Sequence, residues 1–301
     1  VPPMDGLDRV EKKFSFMTLD DALALEQELT PDKKVLIIGA GLIGLKCAEG
    51  ISGRVGSITV VDLADRVLPS ILDERGSTIV QEHLEQKGIS FILNDSVASF
   101  GKNSAALKSG KAPIDIDILV VAVGVRPNVE LAQQAGISVG RGITVNAKSE
   151  TSMAGVYAAG DCTECTDMLS GNKKILALLP NAYMQGETAG INMAGGNASF
   201  EKAIPMNAMG VLGLHMVTAG SYDGEIYTED KGDGSYKLLV TRADRLVGFI
   251  IIGNVERAGI YTSLIREKTP LSSLDFDLIK TKPQLMAFSR RDRAHKLSEP
   301  G

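Results

Sequence analysis

Gly39, Gly41 and Gly44 lie in the run Gly39-Ala40-Gly41-Leu42-Ile43-Gly44, directly after the apolar stretch 35–38, and Asp62 closes a second apolar stretch 23 positions after Gly39. Glycines in this pattern serve different ends. The first permits a tight strand-to-helix turn, the second lets a phosphate approach the backbone, and the third lets the helix pack closely on the strand. The start of a helix at Leu42 and Ile43 then offers free N–H groups and the positive end of a helix dipole to a pyrophosphate. A carboxylate about 20 residues on accepts hydrogen bonds from ribose hydroxyls. Together these residues form a dinucleotide fingerprint, with Gly39, Gly41, Leu42, Ile43, Gly44 and Asp62 as the candidate NAD(H) contacts. A 2′-phosphate would face Asp62 as a like charge, repelled by about 4 kcal/mol at 4 Å and an effective dielectric near 20, so NADH is expected over NADPH. Arg66 is the one residue nearby that could favour NADPH, and its alternative reading is a solvated surface arginine.

The remaining reactive residue types form weaker patterns. Cys162-Thr163-Glu164-Cys165 has the spacing of a redox pair or of half a metal site, with structural thiols as the preferred reading. His83, His215 and His295 are scattered without ligand spacing, so no metal site is expected. Cys47 reads as a small buried residue within a helix.

The sequence excludes several classes of function. A net charge of −5, with 23% charged and 44% hydrophobic residues, lacks the basic excess of a nucleic-acid or anionic-membrane binder. The longest apolar stretches fall short of the roughly 20 residues needed to span a bilayer. Three cysteines in 301 residues suit a reducing compartment, and a cytoplasmic location is expected.

These residues need an α/β frame to hold them. A short helix follows residue 18, capped by Thr18 or Asp20. The stretch 35–38, the glycine turn, a helix over 42–51 and a strand over 57–61 make a βαβ unit. An amphipathic helix over 73–87 ends at Gly88, and strands are expected at 89–93 and 118–123, in a largely parallel sheet covered on both faces. Gly124 and Pro127 interrupt regular structure, after which strands over 142–145 and 156–159 and a helix over 181–193 are expected. Beyond residue 200, strands at 211–219, 221–228, 236–241 and 246–252, separated by glycine-rich turns, read as antiparallel hairpins followed by a helix over 255–267 and a charged tail.

The runs Val35 to Gly44 and Val60-Val61-Asp62, with Asp65-Arg66-Val67-Leu68-Pro69, resemble the NADH domain of the pyridine nucleotide–disulfide oxidoreductase superfamily, especially its NADH oxidase, rubredoxin reductase and nitrite reductase flavoprotein branch. Pro2-Pro3-Met4-Asp5-Gly6-Leu7 is similar to the connector leaving the first flavin segment, and Val121-Ala122-Val123-Gly124-Val125-Arg126-Pro127-Asn128 to the crossover returning to it. The run from Thr151 to Gly160-Asp161 resembles the second flavin motif. The resemblance implies hydride transfer from NADH to FAD and onward to a second acceptor. It adds Gly124 to the NAD contacts and assigns Gly160, Asp161, Pro180, Asn181 and Ala182 to FAD. Asp161 would accept from the ribityl or pyrophosphate portion, and 180–182 would lie near the isoalloxazine edge at a helix start. It also implies a connector over 1–30, an NADH domain over 31–125, the second half of a flavin domain over 126–199, and an α+β domain over 200–301 for subunit contact or for the electron acceptor. The apolar surface of that last part points to a homodimer, and an electron-carrier protein is the other expected partner.

Two departures qualify the likeness. Lys46 stands where many members place a glutamate near the nicotinamide carboxamide, and the first flavin fingerprint, with the redox cysteine of the disulfide-reducing members, is missing from these 301 residues. A shortened chain, a natural split subunit and complementation by another polypeptide each account for the second departure, with the first preferred. Half of a flavin site is therefore expected here, and no catalytic residue is assigned. The function read from the sequence is an FAD-dependent NADH oxidoreductase of unidentified acceptor, whose isolated chain could be inactive. The contrasting reading is a non-catalytic NADH-binding or scaffold chain.

Overall fold

The computed structural model of the chain describes residues 3–298. Pro2 of the connector motif lies outside the described residues, as does the side chain of His295. The chain forms two compact units, Val1–Val125 with the turn Gly210–His215, and Arg126–Met209 with Met216–Gly301.

In the first unit, β1 (Lys13–Phe14), α1 (Leu19–Glu26), β2 (Lys34–Ile38), α2 (Leu42–Ile51), β3 (Ser57–Val61), α3 (Glu74–Gln86) and β4 (Ile89–Ile92) precede three short strands, β5 (Val97–Phe100), β6 (Ser104–Leu107) and β7 (Ile114–Asp115), and the returning strand β8 (Ile118–Val121). The main sheet has the order β1-β8-β2-β3-β4 and is parallel throughout. The neighbouring central strands β8 and β2 are continuous apolar runs from Val35 and Ile118 onward because both faces are covered. Leu36, Ile37, Val60, Val61, Leu119 and Val120 are fully buried. One face packs on the antiparallel layer β5-β6-β7 through Leu36, Ile38, Val61, Phe100 and Leu107. Helices α2 and α3 contact β2 and β4. Thr18 caps α1 in a reciprocal capping box with Asp21, and the Asp73 carboxylate caps α3 by accepting from Gly76 N–H.

The second unit begins with α4 (Glu130–Gln134), β9 (Ile143–Thr144), β10 (Thr163–Thr166), β11 (Lys173–Lys174) and α5 (Leu179–Met193). It continues with β12 (Met206–Val211), β13 (Leu214–Gly220), β14 (Glu225–Asp230), β15 (Tyr236–Arg242), β16 (Arg245–Ile252), α6 (Ala258–Arg266), α7 (Phe276–Thr281) and α8 (Arg290–Ser298). The sheet β12-β13-β16-β15-β14 carries the large core of Leu239, Phe249, Ile251, Tyr261 and Leu264.

Several element boundaries differ from the sequence reading for identifiable reasons. The strand expected over 211–219 is broken by a turn in which Leu212 and Gly213 have φ of 46° and 88°, so two strands replace one. The strand expected over 156–159 is a single bridge at Tyr157, because Ala158 N–H donates to Ser149 O and Thr151 N–H to Val156 O within a local hairpin. Helix α5 starts two residues early, since Pro180 in the first turn needs no hydrogen-bond donor. The charged tail folds into α7 and α8.

Helix α5 packs with its polarity inverted. Its buried residues are Asn181, Gln185, Thr188, Ala189 and Asn192, whereas Leu179, Tyr183 and Met193 are 87%, 73% and 69% exposed.

Candidate functional site

The turn between β2 and α2 shows why each glycine stands where it does. Gly39 has φ +114°, and a Cβ there would lie 2.4 Å from Ala122 O. A Cβ on Gly44 would lie 1.9 Å from Gly39 O. The backbone at these two positions excludes any side chain. Gly41 is different: its φ is −85°, and a Cβ there meets nothing within 4 Å. Nothing in the protein's own packing requires glycine at 41. It is the N-cap of α2 and offers no side-chain cap, so the N–H groups of the first turn, beginning with Leu42 and Ile43, lack a side-chain partner there.

Asp62 lies just past β3 and binds this turn directly. Its Oδ2 accepts from Ala40 N–H at 2.6 Å and its Oδ1 from Ala64 N–H at 2.8 Å. Each carboxylate oxygen keeps a second lone pair for a further donor. Leu68 N–H donates to Ala40 O at 3.0 Å and closes the rim from the other side. Arg66 pairs with Asp65 at 2.8 Å. Gly124 has φ +88° and lies in the segment after β8, where an added Cβ also meets open space.

Lys46, the residue that departs from the resemblance, is engaged. Its Nζ pairs with Glu49 and donates to Gly210 O at 3.1 Å. Glu49 Oε1 accepts from Leu212 N–H at 2.7 Å, and His83 Nε2 donates to Leu212 O at 3.0 Å. Burial raises the Glu49 pKa, but Lys46, the Leu212 N–H and His215 outweigh it and hold the carboxyl below its usual range. Sequence reasoning found no role for Glu49 or His83.

In the second unit, Gly160 adopts φ +86° and its would-be Cβ lies 3.6 Å from that of Ala182. Asp161 next to it is exposed. Pro180, Asn181 and Ala182 form the first turn of α5, whose N-cap, Leu178, provides no side-chain cap. Asn181 is fully buried, and its Nδ2 donates to Ile204 O at 3.3 Å while its Oδ1 has no partner. Pro180 has no N–H and Ala182 N–H donates to Leu178 O at 2.9 Å, so the side of this helix start that a ligand could meet is the turn at Gly160 and the exposed Asp161. Gln185, absent from the sequence-based set, accepts from Gly160 N–H at 2.8 Å and joins the turn to the helix.

Cys162 and Cys165 are both free thiols, as is Cys47. Burial pushes the Cys165 thiol up from its ordinary pKa and the Cys47 thiol up to about 12. Among the described residues, no group of three or more His, Cys, Asp or Glu side chains could hold a metal ion, and no helix is long and apolar enough to cross a membrane.

Residues 1–186 match the Pyridine nucleotide-disulphide oxidoreductase family, and residues 205–269 match the Rubredoxin NAD+ reductase C-terminal domain. The chain is 38% identical over 206 residues to an NADH oxidase of Methanocaldococcus jannaschii, covering 66% of this chain and 46% of that protein. It is 28% identical over 285 residues to the epsilon subunit of an NADH-dependent phenylglyoxylate dehydrogenase of Aromatoleum evansii, covering 91% and 67% of the two chains. The chain thus spans about half the length of the first of these relatives. Among solved structures, an NAD-dependent persulfide reductase from A. fulgidus superposes with a TM-score of 0.81 at 26% identity, covering 91% of this chain and 56% of that one. The glycine turn with its aspartate and the match across residues 1–186 lead to one conclusion: this chain belongs to the pyridine nucleotide–disulphide oxidoreductase family.

Proposed function

We propose that the chain is the NADH-binding and part of the FAD-binding portion of a flavoprotein oxidoreductase that hands electrons to a further acceptor, with an electron-carrier protein as the partner class. The observation that carries this reading is Gly41, a glycine that neither backbone conformation nor packing demands, at the open N-terminus of α2 and beside Asp62. A pyrophosphate explains it, because a phosphate oxygen needs the space that a Cβ would fill. When both cofactors are bound, NADH supplies a hydride, which is a proton and two electrons, and FAD receives it.

The chain's own residues bind and orient. The α2 N–H groups with Gly39, Gly41, Leu42, Ile43 and Gly44 would hold the pyrophosphate of NAD(H), Asp62 would accept from the adenosine ribose, and Gly124 would border the nicotinamide half. Asp62 favours NADH over NADPH by charge. For FAD, the start of α5, with Asn181 in its first turn, would lie near the flavin ring edge, where the positive end of the helix would stabilise negative charge, and Gly160 at φ +86° leaves room for close approach. Pro180 and Ala182 would line that edge, and Gly160 and Asp161 would receive the ribityl and pyrophosphate portion. In this scheme residues 1–30 are a connector, 31–125 the NADH domain, 126–199 a flavin segment, and 200–301 the acceptor or subunit-contact domain of a cytoplasmic homodimer.

The test is anaerobic addition of NADH to the chain supplied with FAD. Saturable flavin binding and bleaching of the visible flavin absorbance are expected. A chain that binds NADH but neither retains nor bleaches flavin would be a nucleotide-binding protein without this redox activity.

A further inference from the structure

The buried face of α5 is polar at Asn181, Gln185, Thr188 and Asn192, positions four, three and four residues apart that return to one side of a helix. Three of these side chains hold backbone. Asn192 donates to Lys148 O and Ala198 O, both at 3.0 Å, and accepts from Ala198 N–H at 2.8 Å. Asn181 donates to Ile204 O at 3.3 Å. Gln185 holds Gly160 itself.

Gln185 is 3% exposed, and its Oε1 accepts from Gly160 N–H at 2.8 Å and lies 3.0 Å from Thr163 Oγ1. The Thr163 hydroxyl donates to Gly160 O at 2.7 Å, and Thr163 N–H donates to the same carbonyl at 3.0 Å. The amide orientation follows from the donor count, since Gly160 N–H requires an oxygen opposite it. The Gln185 carbonyl in turn accepts from the Ser149 hydroxyl at 3.1 Å, so the helix backbone at this point is also tied to the strand-like segment preceding the turn. A glycine at φ +86° has no side chain to restrict it, and here both of its backbone polar groups are fixed from outside. Whatever direction Asp161 takes is set by that fixation.

We propose that Gln185 is a positioning residue: through Gly160 it sets the orientation of the Gly160-Asp161 turn and thereby the affinity for the ribityl–pyrophosphate part of FAD. This rests on the flavin reading of Asp161 given above. Gln185→Met keeps the length and removes the strong acceptor, leaving a buried N–H unpaired. It is expected to speed amide exchange at Gly160 and weaken FAD binding about ten- to a hundredfold, with helix content unchanged. Gln185→Glu restores an acceptor opposite Gly160 N–H, and slow exchange at Gly160 should return with it, a readout that a role in bulk packing would not move.

The experiment titrates FAD into the full chain by flavin fluorescence, with Gly160 exchange measured by NMR and Asp161→Ala run in parallel. Weakened binding by Asp161→Ala with unchanged binding by Gln185→Met overturns the role of Gln185 alone. Unchanged FAD binding in both variants overturns the flavin reading and this proposal with it, and Gly160 exchange as slow in Gln185→Met as in the parent overturns the role of Gln185 whether or not this half of the site binds FAD by itself. Should Gln185→Met not fold, Thr163→Val tests the same link from its other end, because it removes the hydroxyl from Gly160 O while leaving the amide in place. A smaller loss of FAD affinity together with faster Gly160 exchange supports the proposal, and faster Gly160 exchange with parental FAD affinity overturns it, since the turn would then be loosened without effect on the flavin.

Discussion

Replacing Gly41 and Gly44 by alanine, one at a time, separates what the fold needs from what a ligand needs. A methyl at Gly44 would be placed 1.9 Å from Gly39 O and 3.1 Å from Gly39 C, backbone atoms of a turn that is itself held by β2 and by Asp62. Overpacking against backbone costs at the upper end of the usual range, about 3 kcal/mol, which in a unit of this size lowers the thermal midpoint by about 10 °C. A methyl at Gly41 meets nothing within 4 Å at an ordinary φ of −85°. There the lower N-cap preference of alanine and its smaller unfolded-state entropy oppose each other, leaving a stability change below about 1 kcal/mol. The same methyl occupies the space assigned to phosphate, so the Kd for NADH should rise at least about tenfold, or about 1.4 kcal/mol. Circular dichroism melts report the first quantity. Because the chain contains no tryptophan, the fluorescence of NADH itself reports the second without interference from indole. A Gly41→Ala protein that binds NADH within about twofold of the parent, or a Gly44→Ala protein that melts with the parent, would refute the reasoning.

Asp62→Ala should weaken NADH binding more than NADPH binding, because it removes both the ribose acceptor and the charge opposing a 2′-phosphate; equal losses in parallel titrations would remove the basis for NADH preference. Asp167, 2% exposed, accepts from Lys174 and Ser170 at 2.7 Å and from Leu169 N–H at 3.1 Å. Burial raises its pKa, but Lys174 and the other donors outweigh that and hold it below the usual carboxylate range. A carboxyl lowered on folding contributes stability above its unfolded pKa, near 4, and loses it as the pH falls through the folded value. Asp167→Asn should therefore cost about 1–3 kcal/mol at pH 7, with the gap to the parent narrowing below about pH 4 in denaturant melts. A gap independent of pH would show that the charge is irrelevant. Cys47, fully buried with its thiol raised to about 12, should resist iodoacetamide in the native protein while Cys162 is alkylated, as read by peptide mass spectrometry. Equal labelling of the two would count against that burial.

The parts of the molecule that the sequence revealed are those where one physical demand acts alone. Strands β2 and β8 are buried on both faces and therefore read as apolar runs, and Gly39 and Gly44 answer to backbone crowding that a strand–turn–helix pattern already implies. Asp62 was found by spacing, but its bond to Ala40 N–H was not, since a fingerprint records the ligand contact and not the carboxylate's second task of bracing the turn. Gln185 went unseen because its partners, the Gly160 N–H and the Thr163 hydroxyl, lie 25 and 22 residues away, a relation that leaves no periodic signal beyond polar residues recurring on one side of α5. The same inversion hid the helix face: Leu179 and Tyr183 would ordinarily mark the core side, and they are the exposed ones. The missed break at Leu212 has a similar origin. Leucine with φ 46° violates local preference, and the turn's hydrogen bonds to Glu49 and His83 help to hold it.

The polar underside of α5 also has a thermal consequence. Exposing apolar surface raises the heat capacity on unfolding, and exposing polar surface lowers it. Detaching α5 would uncover Asn181, Gln185, Thr188 and Asn192 beside a single apolar side chain of its own, Ala189, whereas opening the sheet core around Phe249 and Tyr261 uncovers mostly hydrocarbon. The helix attachment is therefore expected to have a flatter stability curve than the sheet core of the same unit. On cooling, as hydrophobic burial loses strength, the segments held by these amides are expected to lose less of their stability than the apolar core of the same unit.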